Sequence, residues 1–284
     1  MDPARWIKSR LHEWVDASAD SDLLERLRQA RPAGNEYGFD PFGSNPEDAR
    51  AAWFAARWLH RFYFRSEVFG IDRVPDGRVM LVGNHSGQLP WDGLCILTAM
   101  LLDRTPPRLV RAMAERWVPT LPFVSWVFAR CGEVVGTPEN CLRLLADEQA
   151  ILVFPEGARG VSKPFSRRYQ LQDFGQGFMR QALRTRTPIV PVGLVGAEEQ
   201  SPAFNLEPVA RALGWPAFPV SPLPPFLPVL PLPVRYRIHF GEPMLFEGDP
   251  DDDDETIGQS VQLVKDTIAG MLADGLRARQ HVFW

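Results

Sequence analysis

The sequence has little cysteine and little histidine, and neither residue is spaced for a metal site. Cys95, Cys131 and Cys141 are the three cysteines among 284 residues, an odd and sparse set that indicates a reduced, cytosolic setting. The five histidines are scattered along the chain at His12, His60, His85, His239 and His281. Because they lack the spacing of metal ligands, we expect no bound metal and no metal-dependent reaction.

An uncharged stretch between Ala212 and Val234 has the length of a transmembrane helix but not its composition. It contains eight prolines, which would interrupt the helical hydrogen bonds repeatedly. Apolar but irregular chain has to lie at an interface or fold onto the protein's own core, and we expect an interface. The chain start, Met1–Trp6, carries charge where a secretory signal needs an apolar run, so we expect no export.

The acidic residues are unevenly distributed along the chain. The formal net charge is −4, from 35 acidic and 31 basic residues. Seven of the acidic residues lie between Glu247 and Glu255, so the rest of the chain has 28 acidic residues against 31 basic ones, a formal net charge of +3. A mildly basic remainder suits an anionic membrane face or a phosphate-bearing substrate. The basic residues form no patch with interleaved aromatic residues, so we expect no binding to nucleic acid.

Residues 1–66 differ from the rest of the chain and are predicted to form a helical arm. Ser44-Asn45-Pro46-Glu47 has the cap residue, early proline and first-turn acid of a helix start, which predicts a helix over residues 46–65. This helix carries aromatic residues at Trp53, Phe54, Trp58, Phe62, Tyr63 and Phe64, and an arginine stripe at Arg50, Arg57, Arg61 and Arg65. The combination is typical of a helix at a membrane interface. The alternative is a surface helix that packs its apolar face on the core.

From residue 67 onward, short apolar runs alternate with helix-compatible stretches. The runs lie at 79–82, 108–110, 151–154, 189–192 and 234–240, and the helical stretches at 92–103, 139–149 and 174–186, with a closing helix at 256–279. This alternation predicts an α/β fold with a mostly parallel sheet and covering helices. We therefore expect one α/β domain over residues 67–284, which includes the apolar Pro-rich segment 212–234.

A polar, glycine-containing loop follows the first apolar run, and it contains His85. Because the loop directly follows residues 79–82, His85 should lie at the carboxyl end of a strand, where open α/β sheets bind their ligands. Asp92 follows Pro90 at the expected start of a helix, where the helix dipole favours a carboxylate. A lone histidine is most often structural, but a neutral imidazole oriented by an aspartate is a sound general base.

A second candidate segment, Phe154-Pro155-Glu156-Gly157-Ala158-Arg159-Gly160, also follows an apolar run directly. Glycine allows the backbone to approach a ligand closely, and an arginine side chain matches the geometry of phosphate. Three further cations follow at Lys163, Arg167 and Arg168. They favour an anion-binding site, although a solvated basic loop is the alternative.

Together these segments resemble a known family, the glycerolipid acyltransferases, also called lysophospholipid acyltransferases. The resemblance rests on Asn84-His85 with a following aspartate, Leu121-Pro122-Phe123 with Cys131-Gly132-Glu133-Val134, Phe154–Arg159, and Pro188–Val192. These blocks occur in the family's order over residues 67–245, and their combination is far more specific than any one of them.

The resemblance implies an α/β acyltransferase that lies, peripheral or monotopic, on the cytoplasmic face of a membrane and takes part in phospholipid biosynthesis. It implies a lipid acceptor and a fatty acyl donor, either acyl-CoA or acyl carrier protein, with no further cofactor. The implied roles are catalytic for His85 and Asp92, acceptor or phosphate binding for Glu156, Gly157 and Arg159, and supporting for Asn84 and Pro191.

Two features depart from the family's pattern. Four residues usually separate the histidine from the aspartate, whereas six separate His85 from Asp92, and Pro90 occupies the expected position. We retain Asp92 as the partner because no other Asp or Glu lies between the two. Leu121-Pro122-Phe123 and Cys131-Gly132-Glu133-Val134 resemble the family's intermediate block, which binds the acceptor. An arginine often follows this block in members that use lysophosphatidate, but the nearest one here is Arg143. This difference disfavours a phosphate-bearing acceptor and admits neutral or zwitterionic ones.

These observations lead to the hypothesis that His85 deprotonates a lipid hydroxyl, which attacks the acyl thioester directly. No acyl-enzyme is expected, because the sequence has neither a Gly-x-Ser-x-Gly elbow nor a cysteine with signs of activation. One alternative is an acyl hydrolase that uses the same histidine to activate water. Another is a non-catalytic lipid-binding or membrane-tethering protein of the same fold, which the unusual His–Asp spacing favours.

Overall fold

The computed structural model describes residues 21–31, 34–85, 90–115, 124–157, 160, 163–202, 204–205, 208–209, 219–220 and 231–283. The helices in these ranges are α1 (Ser21–Gln29), α2 (Arg50–Trp58), α3 (Trp91–Leu102), α4 (Val124–Cys131), α5 (Pro138–Ala146), α6 (Gly177–Thr185) and α7 (Asp254–Ala278). The strands are β1 (Glu67–Phe69), β2 (Val79–Gly83), β3 (Val110–Ala114), β4 (Val134–Val135), β5 (Ala150–Val153), β6 (Ile189–Val195), β7 (Phe204–Asn205), β8 (Pro219–Val220) and β9 (Arg237–Phe240).

Seven strands form one sheet in the order β1-β9-β6-β2-β5-β3-β4. Neighbouring strands are parallel throughout this sheet except β6 and β9, which are antiparallel. The predicted α/β class with a mostly parallel sheet is therefore confirmed. The sequence pattern missed β1 and β4, because strands of three and two residues are too short to show a periodicity.

The sheet is covered by helices on both faces, and its central strands are apolar for that reason. Alternate residues of β2 enter opposite layers: Val79 and Leu81 pack with α1, α2 and α3, whereas Met80 and Val82 pack with α5, α6 and α7. All five residues of β2 are buried. A strand buried on both faces reads as a continuous apolar run, and this property made it recognisable in the sequence.

The described helices before residue 66 pack on the sheet domain through α3. Leu23 and Leu27 of α1 and Trp53 and Ala56 of α2 belong to the same apolar layer as β2. The structure does not test the expected boundary at residue 66, which stays a prediction.

The helix predicted over residues 46–65 differs from the observed one at both ends. Residues 46–49 form a turn, in which the side chain of Asn45 accepts a hydrogen bond from the backbone of Asp48 at 3.1 Å. The α-helix then begins at Arg50 and continues after Trp58 as a π-helical turn. The prediction that Arg65 belongs to the arginine stripe of this helix is wrong, because Arg65 lies beyond the turn with a φ of 44°.

Most of the Pro-rich segment 212–234 lies outside the described residues, including the aromatic residues expected at an interface. Within this segment, β8 pairs with β7 in antiparallel register. Residues 231–234 have no regular secondary structure, and the backbone N–H of Leu232 donates a 2.7 Å hydrogen bond to the carbonyl of Gln200. In the parts of the chain that the structure describes, no helix combines the length and the apolar composition needed to cross a membrane.

Candidate active site

Three acidic or basic side chains meet at one edge of the sheet because the strands before them are parallel neighbours. His85 is the second residue after β2, Glu156 the third after β5, and Glu115 the first after β3. Parallel strands present their carboxyl ends at the same edge, which is where open α/β sheets bind ligands. The expected position of His85 at a strand end is confirmed.

The structure brings His85 and Asp92 together. Nδ1 of His85 lies 2.7 Å from Oδ2 of Asp92, and the other carboxylate oxygen accepts a 2.7 Å hydrogen bond from the backbone of Gly93. Asp92 is fully buried in the first turn of α3, and the side chain of His85 is 16% exposed. Because an ionised carboxylate only accepts hydrogen bonds, Nδ1 carries the proton of the neutral ring. Nε2 is then the basic nitrogen.

The ring of Phe154 fixes the plane of the His85 imidazole. The two rings are stacked, with centroids 4.2 Å apart and an angle of 11° between their planes. Two glycines make room for the phenyl ring: a Cβ added at Gly83 would lie 3.2 Å from Phe154, and one at Gly93 would lie 3.4 Å away. The sequence placed Phe154 in a motif but gave no sign of this contact, because a stacking pair has no characteristic spacing in the chain.

The charges around His85 raise its pKa above the ordinary value for histidine. Burial lowers the pKa of His85, but the negative charge of Asp92 and its hydrogen bond, followed by the charges of Glu156 and Glu115, raise it by more. The same charges would stabilise an imidazolium during a reaction. The site therefore favours a histidine that gains a proton.

Glu156 is buried, and protein groups occupy both of its carboxylate oxygens. Oε1 accepts a hydrogen bond from the backbone of His85 at 3.0 Å, and Oε2 accepts one from the backbone of Gln172 at 2.8 Å. Nζ of Lys163 lies 3.4 Å from Oε2. Glu156 thus holds the loop that carries His85, and its expected contact with an acceptor stays a prediction.

The expectation that Lys163 takes part in an anion site or lies in a solvated basic loop is wrong. Its side chain is 4% exposed, and Nζ also lies 3.0 Å from Oε1 of Glu198. Two carboxylates therefore neutralise this ammonium group. In contrast, Arg167 and Arg168 are exposed. The acidic partner Glu198 follows β6, and the sequence pattern had not indicated it because the contact is long-range.

Asn84 supports the loop by bonding to the neighbouring strand. Its side-chain amide donates to the carbonyl of Leu194 at 3.1 Å, and its side-chain oxygen accepts from the backbone N–H of the same residue at 2.8 Å. Pro191 lies in β6 opposite Val82 of β2, and its carbonyl accepts a 2.8 Å hydrogen bond from Gly241. Both residues are buried in the sheet that positions His85.

Part of the predicted acceptor site lies outside the described residues, namely Arg159 and the block Leu121-Pro122-Phe123. Gly157 is described and has a φ of 55°, and a Cβ there would lie 3.1 Å from Oε1 of Glu115. This turn therefore favours glycine. Burial raises the pKa of Glu133, in the intermediate block, to about 8. Within the described ranges, no three His, Cys, Asp or Glu side chains converge as metal ligands.

Comparisons with known proteins show that this chain is similar to acyltransferases. A family model described as Acyltransferase matches residues 65–195. An uncharacterized protein of Mycobacterium tuberculosis is 36% identical over 262 residues, which cover 88% of this chain and 72% of the relative. A chloroplastic 1-acyl-sn-glycerol-3-phosphate acyltransferase of Arabidopsis thaliana is 23% identical over 58% of this chain and 45% of the relative.

A solved structure shares the fold. The 1-acyl-sn-glycerophosphate acyltransferase PlsC of Thermotoga maritima superimposes with a TM-score of 0.52 at 15% sequence identity, over 99% of this chain and 100% of that one. At this identity the likeness concerns the fold alone.

Proposed function

Because this chain belongs to the acyltransferase family, with the fold of the glycerolipid acyltransferases, we propose that it transfers a fatty acyl group from an acyl thioester to a lipid hydroxyl. The donor is acyl-CoA or acyl carrier protein, and His85 is the general base. The observation that carries this proposal is the 2.7 Å contact between His85 and the buried Asp92.

In the proposed reaction, Nε2 of His85 takes the proton of the lipid hydroxyl as its oxygen attacks the thioester carbonyl. The charge of Asp92 stabilises the imidazolium that forms. Collapse of the tetrahedral intermediate breaks the carbon–sulfur bond, and the imidazolium returns its proton to the thiolate that leaves. Positioned acid–base catalysis of this kind contributes on the order of 10²- to 10⁴-fold to the rate. Alignment of the two substrates and stabilisation of the oxyanion supply the rest.

The state of the cysteines supports direct transfer without an acyl-enzyme. Burial raises the pKa of Cys131 to about 12 and that of Cys141 to about 11, and it also raises the pKa of the fully buried Cys95. A thiol is nucleophilic as the thiolate, and these shifts keep all three protonated at neutral pH. The lipid hydroxyl therefore attacks the thioester itself.

The proposed site of action is a membrane surface. The end of α2, together with the π-helical turn that follows it, supports this location. Trp58 is 50% exposed and Phe62 is 65% exposed, although both are large aromatic residues. The exposed guanidinium of Arg61 lies next to Phe62 in the chain and pairs with Asp103 at 2.5 Å. Aromatic rings with adjacent arginines suit the boundary between lipid tails and anionic headgroups. α2 packs on α3, the helix that carries Asp92 in its first turn, so the docking surface and the site are connected through one helix.

The test is an acyl-transfer assay with the purified protein. Labelled acyl-CoA, or in a parallel reaction labelled acyl carrier protein, is incubated with a total lipid extract, and mass spectrometry identifies the lipid that gains the label. We expect a labelled glycerolipid with the unmodified protein and none with His85→Ala.

Other outcomes would support the alternatives. Release of free fatty acid without an acceptor would identify a hydrolase, and binding to liposomes without transfer to any acceptor would identify a lipid-binding protein. Circular dichroism of His85→Ala checks that loss of activity is not loss of the fold.

A further inference from the structure

Lys163 is a buried cation directly behind the His85 loop, and the proposed reaction assigns it no role. Its Nζ lies 3.4 Å from Glu156 and 3.0 Å from Glu198, and it donates to the carbonyl of Gln170 at 3.2 Å. Glu156 and Gln170 lie with Lys163 in the connection from β5 to α6, whereas Glu198 lies in the turn after β6. Lys163 therefore holds this connection together and attaches it to the turn after β6.

The hydrogen bonds of Glu156 are stronger when its carboxyl group is ionised. Each of its oxygens accepts from a backbone N–H, one of His85 and one of Gln172. In a protonated carboxyl one of these oxygens would carry the O–H and would be a weaker acceptor for its backbone donor. A fully buried carboxylate needs a cation or comparable polar partners to remain charged. Lys163 lies at the distance of an ion pair from it.

We propose that Lys163 is a positioning residue for acyl transfer: its ammonium group keeps Glu156 ionised, and ionised Glu156 holds the backbone of His85, and hence the imidazole, in the reactive position. This inference rests on the proposed role of His85 as the base. Lys163 itself touches neither substrate nor the reacting atoms in this arrangement.

Lys163 has to neutralise two carboxylates, because Glu198 lies beside it in addition to Glu156. The pKa of Glu198 is raised by burial above its ordinary value. The charge of Lys163 and the hydrogen bond from the backbone N–H of Tyr169 lower this pKa, and the charge of Glu156 raises it, so that the net shift is upward. Without Lys163, two buried carboxylates would share this space with no cation between them, which favours uptake of a proton by the pair. Among the residues that the structure describes, the other charged groups near Glu156 are His85 and Glu198, and Glu115 and Asp92 act on the same His85.

The experiment compares Lys163→Met with Lys265→Met in the full-length protein, by measuring kcat and KM for acyl-CoA across the pH range. Lys265 is the matched control, because it is a lysine on α7 whose partner is the exposed Asp173 at 3.6 Å. We expect Lys163→Met to lower kcat by about 10-fold or more at neutral pH, with little change in KM, because a misplaced base slows the chemical step and leaves substrate binding unchanged. The deficit should shrink as the pH rises and Glu156 ionises again.

Two further variants separate this role from a general loss of structure. Lys163→Arg keeps the positive charge and should recover most of kcat. The double variant Lys163→Met with Glu198→Gln removes one positive and one negative charge together, and its activity at neutral pH should exceed that of Lys163→Met. A pH-independent loss of activity in Lys163→Met, or a double variant as impaired as the single one, would overturn the proposal.

Titration of His85 by NMR tests the link between Lys163 and Glu156 without an activity assay. The signal of His85 is assigned by its absence from the spectrum of His85→Ala. The charge of Glu156 raises the pKa of His85, so Lys163→Met should lower that pKa, whereas Lys265→Met should leave it unchanged. An unchanged pKa of His85 in Lys163→Met would contradict the link between Lys163 and Glu156. If the unmodified protein transferred no acyl group, the proposed function would fail separately, and the titration would still decide the link.

Discussion

Nδ1 of His85 lies 2.7 Å from Oδ2 of Asp92, although six residues separate them in the chain. In the glycerolipid acyltransferases, four residues usually separate the histidine from the aspartate. Here Pro90 occupies the expected aspartate position, and α3 begins directly after it at Trp91. Asp92 therefore lies in the first turn of the helix, where the dipole and the backbone N–H of Gly93 stabilise its charge. The longer loop changes the spacing but keeps the contact.

Asp92→Asn is expected to lower kcat/KM for acyl transfer by on the order of 10²- to 10⁴-fold, the range for a positioned acid–base group. An amide has no charge to stabilise the imidazolium, and its NH₂ group would favour the wrong tautomer of His85. Steady-state kinetics with the labelled acyl donor provides the measurement. Activity within about twofold of the unmodified enzyme would exclude the proposed partnership.

The pH profile of kcat/KM is expected to rise with pH and to have its midpoint above about 6.5, the ordinary pKa of histidine. His85 must be neutral to accept a proton, and the charges of Asp92, Glu156 and Glu115 raise its pKa. In the residual activity of Asp92→Asn, the midpoint should move to lower pH. Because the pKa of His85 is higher in the folded than in the unfolded protein, protonation of His85 increases the free energy of unfolding. This contribution is complete at a pH below the pKa of His85 in the unfolded chain, and it is lost as the pH rises through the pKa in the folded protein. A midpoint below that of free histidine would contradict these electrostatics.

Asn84→Ala is expected to lower the free energy of unfolding by about 2–4 kcal/mol, because it leaves the buried N–H and C=O of Leu194 without their partners. Asn140→Ala is the matched control. Its side chain makes one hydrogen bond to the carbonyl of Val135 at 3.0 Å, and its loss should cost about 1 kcal/mol. Urea unfolding followed by circular dichroism measures both. Equal effects of the two substitutions would argue against the bracing role of Asn84.

Arg279→Ala is expected to lower the free energy of unfolding by about 3 kcal/mol. Its guanidinium donates to both oxygens of Glu199 at 2.5 and 2.8 Å, and Glu199 also accepts from Tyr169 at 2.5 Å. Removal of the arginine would leave a buried carboxylate without its cation. Arg277→Ala should cost less than about 0.5 kcal/mol, because its pair with Asp274 is exposed. Urea unfolding of the two variants should separate them clearly.

The double variant Trp58→Ala with Phe62→Ala is expected to weaken binding to anionic vesicles by about 10-fold or more. Burial of one large aromatic side chain contributes about 1.5–3 kcal/mol, which corresponds to roughly tenfold or more in affinity. Leu263→Ala, an exposed residue of α7, is the control and should bind as the unmodified protein does. Sedimentation with vesicles measures the bound fraction. Unchanged binding of the double variant would exclude the end of α2 as the docking surface.

The central elements could be predicted because their local pattern and their burial agree. Strands β2, β5 and β6 are buried apolar runs, and glycine- or proline-containing loops end them, so their positions were readable to within a few residues. Element ends were less accurate, as at α2, where residues 46–49 form a turn that hydrogen bonds of Asn45 close before the helix begins. Sequence patterns do not distinguish a capped turn from the first turn of a helix.

Three features could be inferred from the sequence alone: the α/β class, the position of His85 at a strand end, and the family resemblance of the blocks around it. These follow from residue types and short spacings, which are local properties of the chain. The tertiary structure decided which distant groups surround that histidine: Phe154 against its ring, Glu156 on its backbone, and Lys163 and Glu198 behind them. The longest of those contacts joins His85 to Glu156, 71 positions apart in the chain. Only the parallel order of the strands brings them to one edge, because no local pattern encodes a neighbour that far along the chain.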